Sequence, residues 1–412
     1  EMSASLVGSE MCIRDSYTRG HLSRDAVHAL YGGAVTLSAS RMDMARSCHF
    51  AYFMRYGLKA RERTGAGFDA PQIGTFVHDV MEHTLRQAKE CGGLHTLSKD
   101  KLHALVRASI EEYIDRVLPD LSEKSARFRY LFNRLCATVE RIMDEVSEEL
   151  QSSDFEPLAF ELEFGADGQL PAITIREENG TARVVGKVDR VDGWLHDGKL
   201  YLRVVDYKTG KKSFDLAELR YGLGLQMLLY LFTLKEEGQM LFGGHEIVPA
   251  GVLYTPAREP MLRCARDTEP EKIEKALKKE LRRSGMVLED PAVLQAMEHS
   301  AIESPCYLPI AVKRDGAVTG SLASAEQLGK LSKYVDHILH EITQEVFAGN
   351  IDADPYARTP QQSACTYCEF ASACHFENGC GSDRMEYIKA TKNDEFWQYI
   401  DEVNGEGAHE NG

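Results

Sequence analysis

The sequence predicts an α/β protein, a strand-rich centre set between helical stretches, and three observations predict it. From Gln72 to Gln151 apolar residues recur at helical spacing, with Phe76, Val80 and Leu85 followed by Leu105, Ile110, Ile114 and Val117. From Leu158 to Tyr207 the period falls to two, the pattern of half-buried strands. Helical patterning then returns after residue 270. With 412 residues, 43% hydrophobic and 27% charged, the chain can bury a substantial core without a disulfide framework.

In chain order, residues 1–34 show no convincing periodicity. The stretch Ser9-Glu10-Met11-Cys12-Ile13-Arg14-Asp15-Ser16 looks foreign to the rest of the chain, so 1–34 is read as a non-native or disordered leader. A helix opens at Leu37-Ser38-Ala39-Ser40 and carries Cys48, with Ser38 or Ser40 as its N-cap. Three strands follow the first helical region, over Leu158–Phe164, Arg183–Trp194 and Leu200–Lys208. Asp197-Gly198 marks the last two as a hairpin. A helix over Leu216–Leu234, a strand over Ile247–Tyr254 and helices at 270–282 and 324–348 complete the pattern. One domain is expected over 35–380, with its core at 155–260 and a loop-rich cysteine region at 352–380. Residues 381–412 are acidic and poor in apolar side chains, the composition of a mobile tail.

The net charge of −16 argues against a protein that coats DNA, which needs a basic footprint. It does not argue against a nuclease, whose metal ligands are themselves carboxylates. No apolar run is long enough to span a bilayer and no secretory signal is evident, so a cytoplasmic protein is expected. In that compartment clustered cysteines read as metal ligands before disulfides.

The chemistry concentrates in Gly186-Lys187-Val188-Asp189-Arg190-Val191-Asp192 and Val204-Val205-Asp206-Tyr207-Lys208-Thr209-Gly210. Alternation along a strand puts Asp206 and Lys208 on one face, and Asp189 on the paired strand can approach Asp206. Two carboxylates meeting at the end of a sheet make a hard-oxygen site for Mg²⁺ or Mn²⁺. Phosphodiester cleavage needs an activated water, charge neutralised on the phosphoryl oxygens and a stabilised leaving oxygen, and a bound metal supplies all three. Lys208 adds a fixed positive charge. Glu161 and Glu163 form an acidic face on the strand before. His78 opens a helix in Gly74-Thr75-Phe76-Val77-His78. Gln226 and Tyr230 lie four apart on one helical face after the Asp-x-Lys strand, placed to contact a DNA backbone. Thr209-Gly210-Lys211-Lys212-Ser213 lacks the glycine that a phosphate loop needs at position 205, which is valine, so ATP hydrolysis by this chain is not expected.

Cys365-x2-Cys368-x5-Cys374 is a compact set of three thiols. It implies a distant fourth ligand, for which Cys48 is the best candidate. Joining Cys48 to the triad would close a very long loop. Four thiolates suit zinc as well as an iron–sulfur cluster, and spacing leaves both open. Cys380 is a nearby extra thiol, and Cys91, Cys136, Cys264 and Cys306 read as buried hydrophobes.

Taken in one order, Cys48, Gly74-x3-His78, Glu161, Gly186–Asp192, Asp206-x-Lys208, Gln226-x3-Tyr230 and Cys365/Cys368/Cys374 resemble the C-terminal nuclease region of the bacterial AddB (RexB) family, from about Leu37 to about Gly379. The resemblance implies a PD-(D/E)XK, RecB-like nuclease core: a mixed central sheet flanked by helices, with helical insertions and an iron–sulfur clamp. It implies a [4Fe–4S] cluster on Cys48, Cys365, Cys368 and Cys374. It also implies Mg²⁺ or Mn²⁺ ligation by His78, Asp189, Asp206 and the Tyr207 carbonyl, a catalytic Lys208, and Glu161 as a further acidic position. The implied activity is exonucleolytic cleavage of the 5′-terminated strand during double-strand-break resection, on single-stranded DNA fed by an AddA-type partner. A large helicase-like N-terminal region belongs to the family pattern, and the chain resembles a fragment lacking it, so Chi recognition is not expected here. The family usually has Cys-Pro-Phe at the first cysteine, where this chain has Cys48-His49-Phe50.

A stand-alone RecB-like or CRISPR-associated nuclease is the alternative enzyme, and the helical insertions on both sides of the core favour the AddB reading. A catalytically silent DNA-binding scaffold is the alternative of another class. Intact Asp189, Asp206 and Lys208 argue against it.

Overall fold

The computed structural model describes residues 19–61, 70–166, 168–265, 267–359 and 361–405. Most of the expected leader, including Ser9–Ser16, and the end of the expected tail lie outside these. The chain starts with helix α1 (Arg24–Tyr31), strand β1 (Ala34–Leu37) and helix α2 (Ala39–Ser47). Three long helices follow, α3 (Ala70–Glu90), α4 (Lys99–Val117) and α5 (Ala126–Gln151). Ser98 and Ser125 cap the last two with side-chain acceptors.

Strands β2 (Glu156–Phe164), β3 (Ile173–Glu177), β4 (Gly180–Val184), β5 (Gly186–His196) and β6 (Lys199–Lys208) come next. Helix α6 (Gln226–Glu237), β7 (Glu246–Pro256), helix α7 (Pro270–Glu280), β8 (Ser284–Leu288), the short β9 (Leu322–Ala323) and the long helix α8 (Ala325–Ala348) complete the main body.

The central sheet has six strands in the order β9-β8-β7-β6-β5-β2. It is mixed: β6 runs parallel to β7 and β9 parallel to β8, while the other pairs are antiparallel. The β5–β6 hairpin turns through Asp197 and Gly198, both at positive φ (49° and 78°), as a two-residue turn between twisted strands requires. Helix α3 covers the edge of β2. Arg86 donates to the Phe160 carbonyl and Lys89 to the Leu158 carbonyl, each at 2.9 Å, which occupies acceptors that an open edge would leave to other chains.

Four expectations are corrected. The strand expected over Arg183–Trp194 is two strands in different sheets, separated at Val185, because β4 pairs with β1 and β3 rather than with the central sheet. The helix expected over Leu216–Leu234 is broken: Gly222 and Gly224 take positive φ, and α6 starts afresh at Gln226. Residues 19–34 are not a disordered leader, since α1 buries Val27 and the Arg19 guanidinium pairs with Asp383 at 2.8 Å. Nor is the chain beyond Met385 a mobile tail up to residue 405. Helix α9 (Asn393–Val403) buries Phe396, Trp397 and Ile400. In both segments one apolar stripe suffices to dock a short helix, a signal that low overall hydropathy conceals.

Candidate active site

Three elements meet at one end of the central sheet. β5 and β6 run side by side with Arg190 opposite Val205, so the next residues, Asp189 and Asp206, face each other. Gly186, at the start of β5, is glycine for a steric reason: a Cβ there would lie 2.5 Å from the Phe164 and Tyr230 rings. Those rings meet edge to face at 5.2 Å and close the sheet behind the site. Helix α3 brings His78 over the strand ends.

His78 Nε2 donates to the Tyr207 carbonyl at 2.9 Å, and its Nδ1 lies 3.3 Å from Asp189 and 4.0 Å from Glu161. The Tyr207 amide donates to Asp189 Oδ2 at 2.9 Å. Burial disfavours the His78 cation, but the Asp189 carboxylate, the Tyr207 carbonyl and the Asp206 charge outweigh it, and its pKa is held above the ordinary value. Glu161 reaches the site from an unusual backbone, φ 48° within β2. A non-glycine residue in that region is strained, and such strain collects at functional sites. Ligand atoms of His78, Glu161 and Asp189 all lie within 4.8 Å of one another, the only such trio of metal-capable side chains among the described residues.

Asp206 stands beside this trio. Its Oδ2 is buried and pairs with the Lys208 ammonium at 2.6 Å. Burial and the charge of Asp189 push its pKa up to about 6, with Lys208 and His78 pulling the other way. Two carboxylates facing each other, whose mutual repulsion helps raise the Asp206 pKa, form an acidic pair that a divalent cation would neutralise. His78, Glu161 and Asp189 could hold a metal ion, and Asp206 and the Tyr207 carbonyl add hard oxygen atoms beside them.

Gln226 and Tyr230 line a groove of about 690 Å³ next to the site, and the Gln226 amide donates to the Tyr230 hydroxyl at 3.1 Å. Lys187 lines this groove and also the pocket that holds His78 and Glu161. It forms an ion pair with Glu161 and lies 3.9 Å from the exposed Glu163. Lys187 is not among the site residues expected from the sequence. The period-two alternation that joins Lys208 to Asp206 also joins Lys187 to Asp189, and is the signal that marks it. Lys211 and Lys212 lie in a separate groove that begins at Lys208.

The four cysteines gather 365–374 against residue 48. Cys48 ends α2, and with Cys365, Cys368 and Cys374 it lines a cavity of about 580 Å³. Cys380 is not among the lining residues. Burial pushes the Cys48 thiol up to about 12, and burial with the neighbouring thiols raises Cys365 as well. His49, where the resemblance leads one to expect proline, ties the same corner shut. Its amide donates to Asp354 Oδ1 at 2.9 Å, its Nδ1 lies 2.5 Å from Asp354 Oδ2, and its Nε2 lies 3.2 Å from Glu345. Cys91 and Cys264 are exposed and Cys136 and Cys306 half-buried, against the expectation of four buried hydrophobes.

A mixed sheet that presents Asp189 and an Asp206-x-Lys208 strand to a helix-borne histidine defines a nuclease of the PD-(D/E)XK class. The sequence profile of the PD-(D/E)XK nuclease superfamily matches residues 36–375, and the chain belongs to that superfamily. Among curated proteins it is similar to an ATP-dependent helicase/deoxyribonuclease subunit of Acetivibrio thermocellus, with 33% identity over 383 residues, 92% of this chain and 33% of the relative. The subunits of the same name from Thermoanaerobacter sp. and Caldanaerobacter subterraneus subsp. tengcongensis are 31% and 32% identical, over 92% and 94% of this chain and 33% of each relative. The chain thus spans about a third of the length of the curated relatives it matches. Among the described residues no helix is long and apolar enough to cross a membrane.

Proposed function

We propose that this chain is the metal-dependent nuclease part of a bacterial, cytoplasmic helicase–nuclease that resects double-strand breaks, cutting single-stranded DNA fed to it by an AddA-type partner. The observation that carries the reading is the convergence of His78, Glu161 and Asp189 beside Asp206 and Lys208. His78, Asp189, Asp206 and the Tyr207 carbonyl would hold Mg²⁺ or Mn²⁺. When bound, that ion supplies Lewis-acid charge and lowers the pKa of an attacking water. Lys208 places its ammonium against the scissile phosphate and stabilises the charge that grows there. Glu161, held near His78 by its strained backbone and by Lys187, accepts a proton or orients the water. Gln226 and Tyr230 seat the strand in the neighbouring groove.

Cys48, Cys365, Cys368 and Cys374 would hold a [4Fe–4S] cluster. The four thiols line one cavity of about 580 Å³, which supports a single shared group held between them.

The test is cleavage of single-stranded DNA by the 412-residue chain with and without Mg²⁺, then degradation of a long blunt duplex with and without an AddA-type partner, the rest of the longer subunit and ATP. Metal-dependent cutting of single strands, with fast duplex resection only in the ATP-driven complex, is the expected result. Rapid, ATP-independent degradation of duplex by the chain alone would favour a stand-alone nuclease.

A further inference from the structure

The strands that carry the metal-binding carboxylates bear a second set of charges on their opposite face. Arg190 follows Asp189, and Tyr207 follows Asp206, so the pleat turns Arg190 and the Tyr207 side chain to the face opposite Asp189 and Asp206, with the Tyr207 ring edge-on to the His78 imidazole at 6.1 Å between centroids. There Arg190 grips Asp192 through two bonds of 2.7 and 2.9 Å, and its third nitrogen donates to the Tyr207 hydroxyl at 2.5 Å. Arg203 donates to Asp192 at 2.9 Å and lies 3.4 Å from Glu149, which Arg283 holds at 2.6 and 3.0 Å. Arg190, Asp192 and Arg203 are 0% exposed, Glu149 is 1% and Arg283 is 3%.

Such a network is a poor way to gain stability. Desolvating five charges costs as much as their attraction returns, and apolar side chains of similar size would hold the fold as well. This one is also incompletely satisfied, since Glu149 Oε1 and two Arg203 nitrogens are buried without hydrogen bonds. What it does achieve is geometric. It ends on the hydroxyl of Tyr207, the residue whose amide bonds Asp189 and whose carbonyl bonds His78. A residue anchored at the tip of its side chain cannot rotate its peptide groups freely, and both of those groups face the site.

We infer that the buried Glu149–Arg283–Arg203–Asp192–Arg190 network is a positioning device for metal binding, acting through the Tyr207 hydroxyl to fix the carbonyl and amide of Tyr207 against the cation and Asp189. Arg190, Asp192 and the Tyr207 hydroxyl are positioning groups and touch no substrate. The inference rests on the proposed metal site. Groups that orient metal ligands from behind change metal affinity by roughly tenfold or more when removed.

The experiment measures Mn²⁺ binding to the DNA-free chain by titration calorimetry, with the melting temperature recorded in parallel without metal. Tyr207→Phe removes only the hydroxyl and keeps the ring. Its Mn²⁺ dissociation constant should rise about tenfold, with a melting temperature close to wild type. Arg190→Lys keeps the charge but cannot reach Asp192 and the hydroxyl together, and should shift the constant in the same direction. An unchanged constant in folded Tyr207→Phe overturns the inference and leaves the metal site standing. Loss of folding in Tyr207→Phe overturns it too, because the hydroxyl would then be a determinant of the fold. If wild type and Asp206→Ala bind Mn²⁺ equally weakly, the metal site itself is wrong and the inference falls with it.

Discussion

His78 and Tyr207 meet side chain to backbone, with the imidazole Nε2 2.9 Å from the Tyr207 carbonyl oxygen, and this contact joins the first long helix to the strand that carries Asp206 and Lys208. It makes the site depend on the helical region as well as on the hairpin. His78→Ala should therefore weaken metal binding while the β5–β6 hairpin stays intact. The check is the Mg²⁺ concentration for half-maximal cleavage, which should rise about tenfold or more.

Asp206→Ala and Lys208→Ala should each reduce cleavage of single-stranded DNA by at least about a hundredfold. One removes a metal donor and the other a charge placed at the scissile phosphate. Single-turnover rates at saturating DNA measure the loss, and full activity in either variant would refute the assignment.

The pH dependence of the metal-free chain follows from Asp206, whose pKa is raised to about 6. The folded state binds this proton more tightly than the unfolded chain, whose aspartate titrates near ~3.9. Stability from this group is therefore gained as pH falls through about 6, and the charged form is a burden above it. Metal-free Asp206→Asn should melt higher than wild type at pH 7.5, and the difference should shrink as pH falls below about 6 and vanish only below about 4, the unfolded aspartate's range. Thermal scans in a chelator across this range provide the comparison.

Anaerobically purified protein should be brown and contain iron and acid-labile sulfide. Cys368→Ser should lose the colour and melt lower, because the cluster would bridge residues far apart in sequence. Stoichiometric zinc without sulfide, even after anaerobic purification, would contradict the cluster.

Phe396→Ala should destabilise the chain by about 3–5 kcal/mol, the usual cost of emptying a buried aromatic site, because Phe396 is fully buried in the C-terminal helix. Chemical denaturation gives the value. A change within ±0.5 kcal/mol, the range of ordinary surface substitutions, would mean that this helix is not docked.

The carboxylate pair and lysine at the centre of the candidate site were legible from two physical rules, whereas His78 and Glu161 entered only through the family resemblance. Strand alternation puts Asp206 with Lys208, and an Asp-Gly turn pairs that strand with the one carrying Asp189. What stayed hidden depends on contacts distant in sequence. The break at Val185 is invisible in a run of alternating apolar residues, since only pairing with β1 and β3 tells one strand from two. Helix α1 and Arg19 were lost beside an anomalous leader, and helix α9 beneath an acidic composition. Arg190 and Asp192 stood inside the motif that was read, but their burial on the far face follows from packing against Arg203 and Glu149, which no local pattern encodes.

The corner that brings Cys48 to the cysteine-bearing segment is fastened twice. Under the proposed cluster, the thiols would close it only when iron and sulfide are supplied. The bonds of His49 to Asp354 and Glu345 need nothing but the chain itself. Assembly of this corner therefore need not wait for cofactor delivery: a newly made chain can set its own mould, and iron shortage would leave that mould standing rather than an open seam.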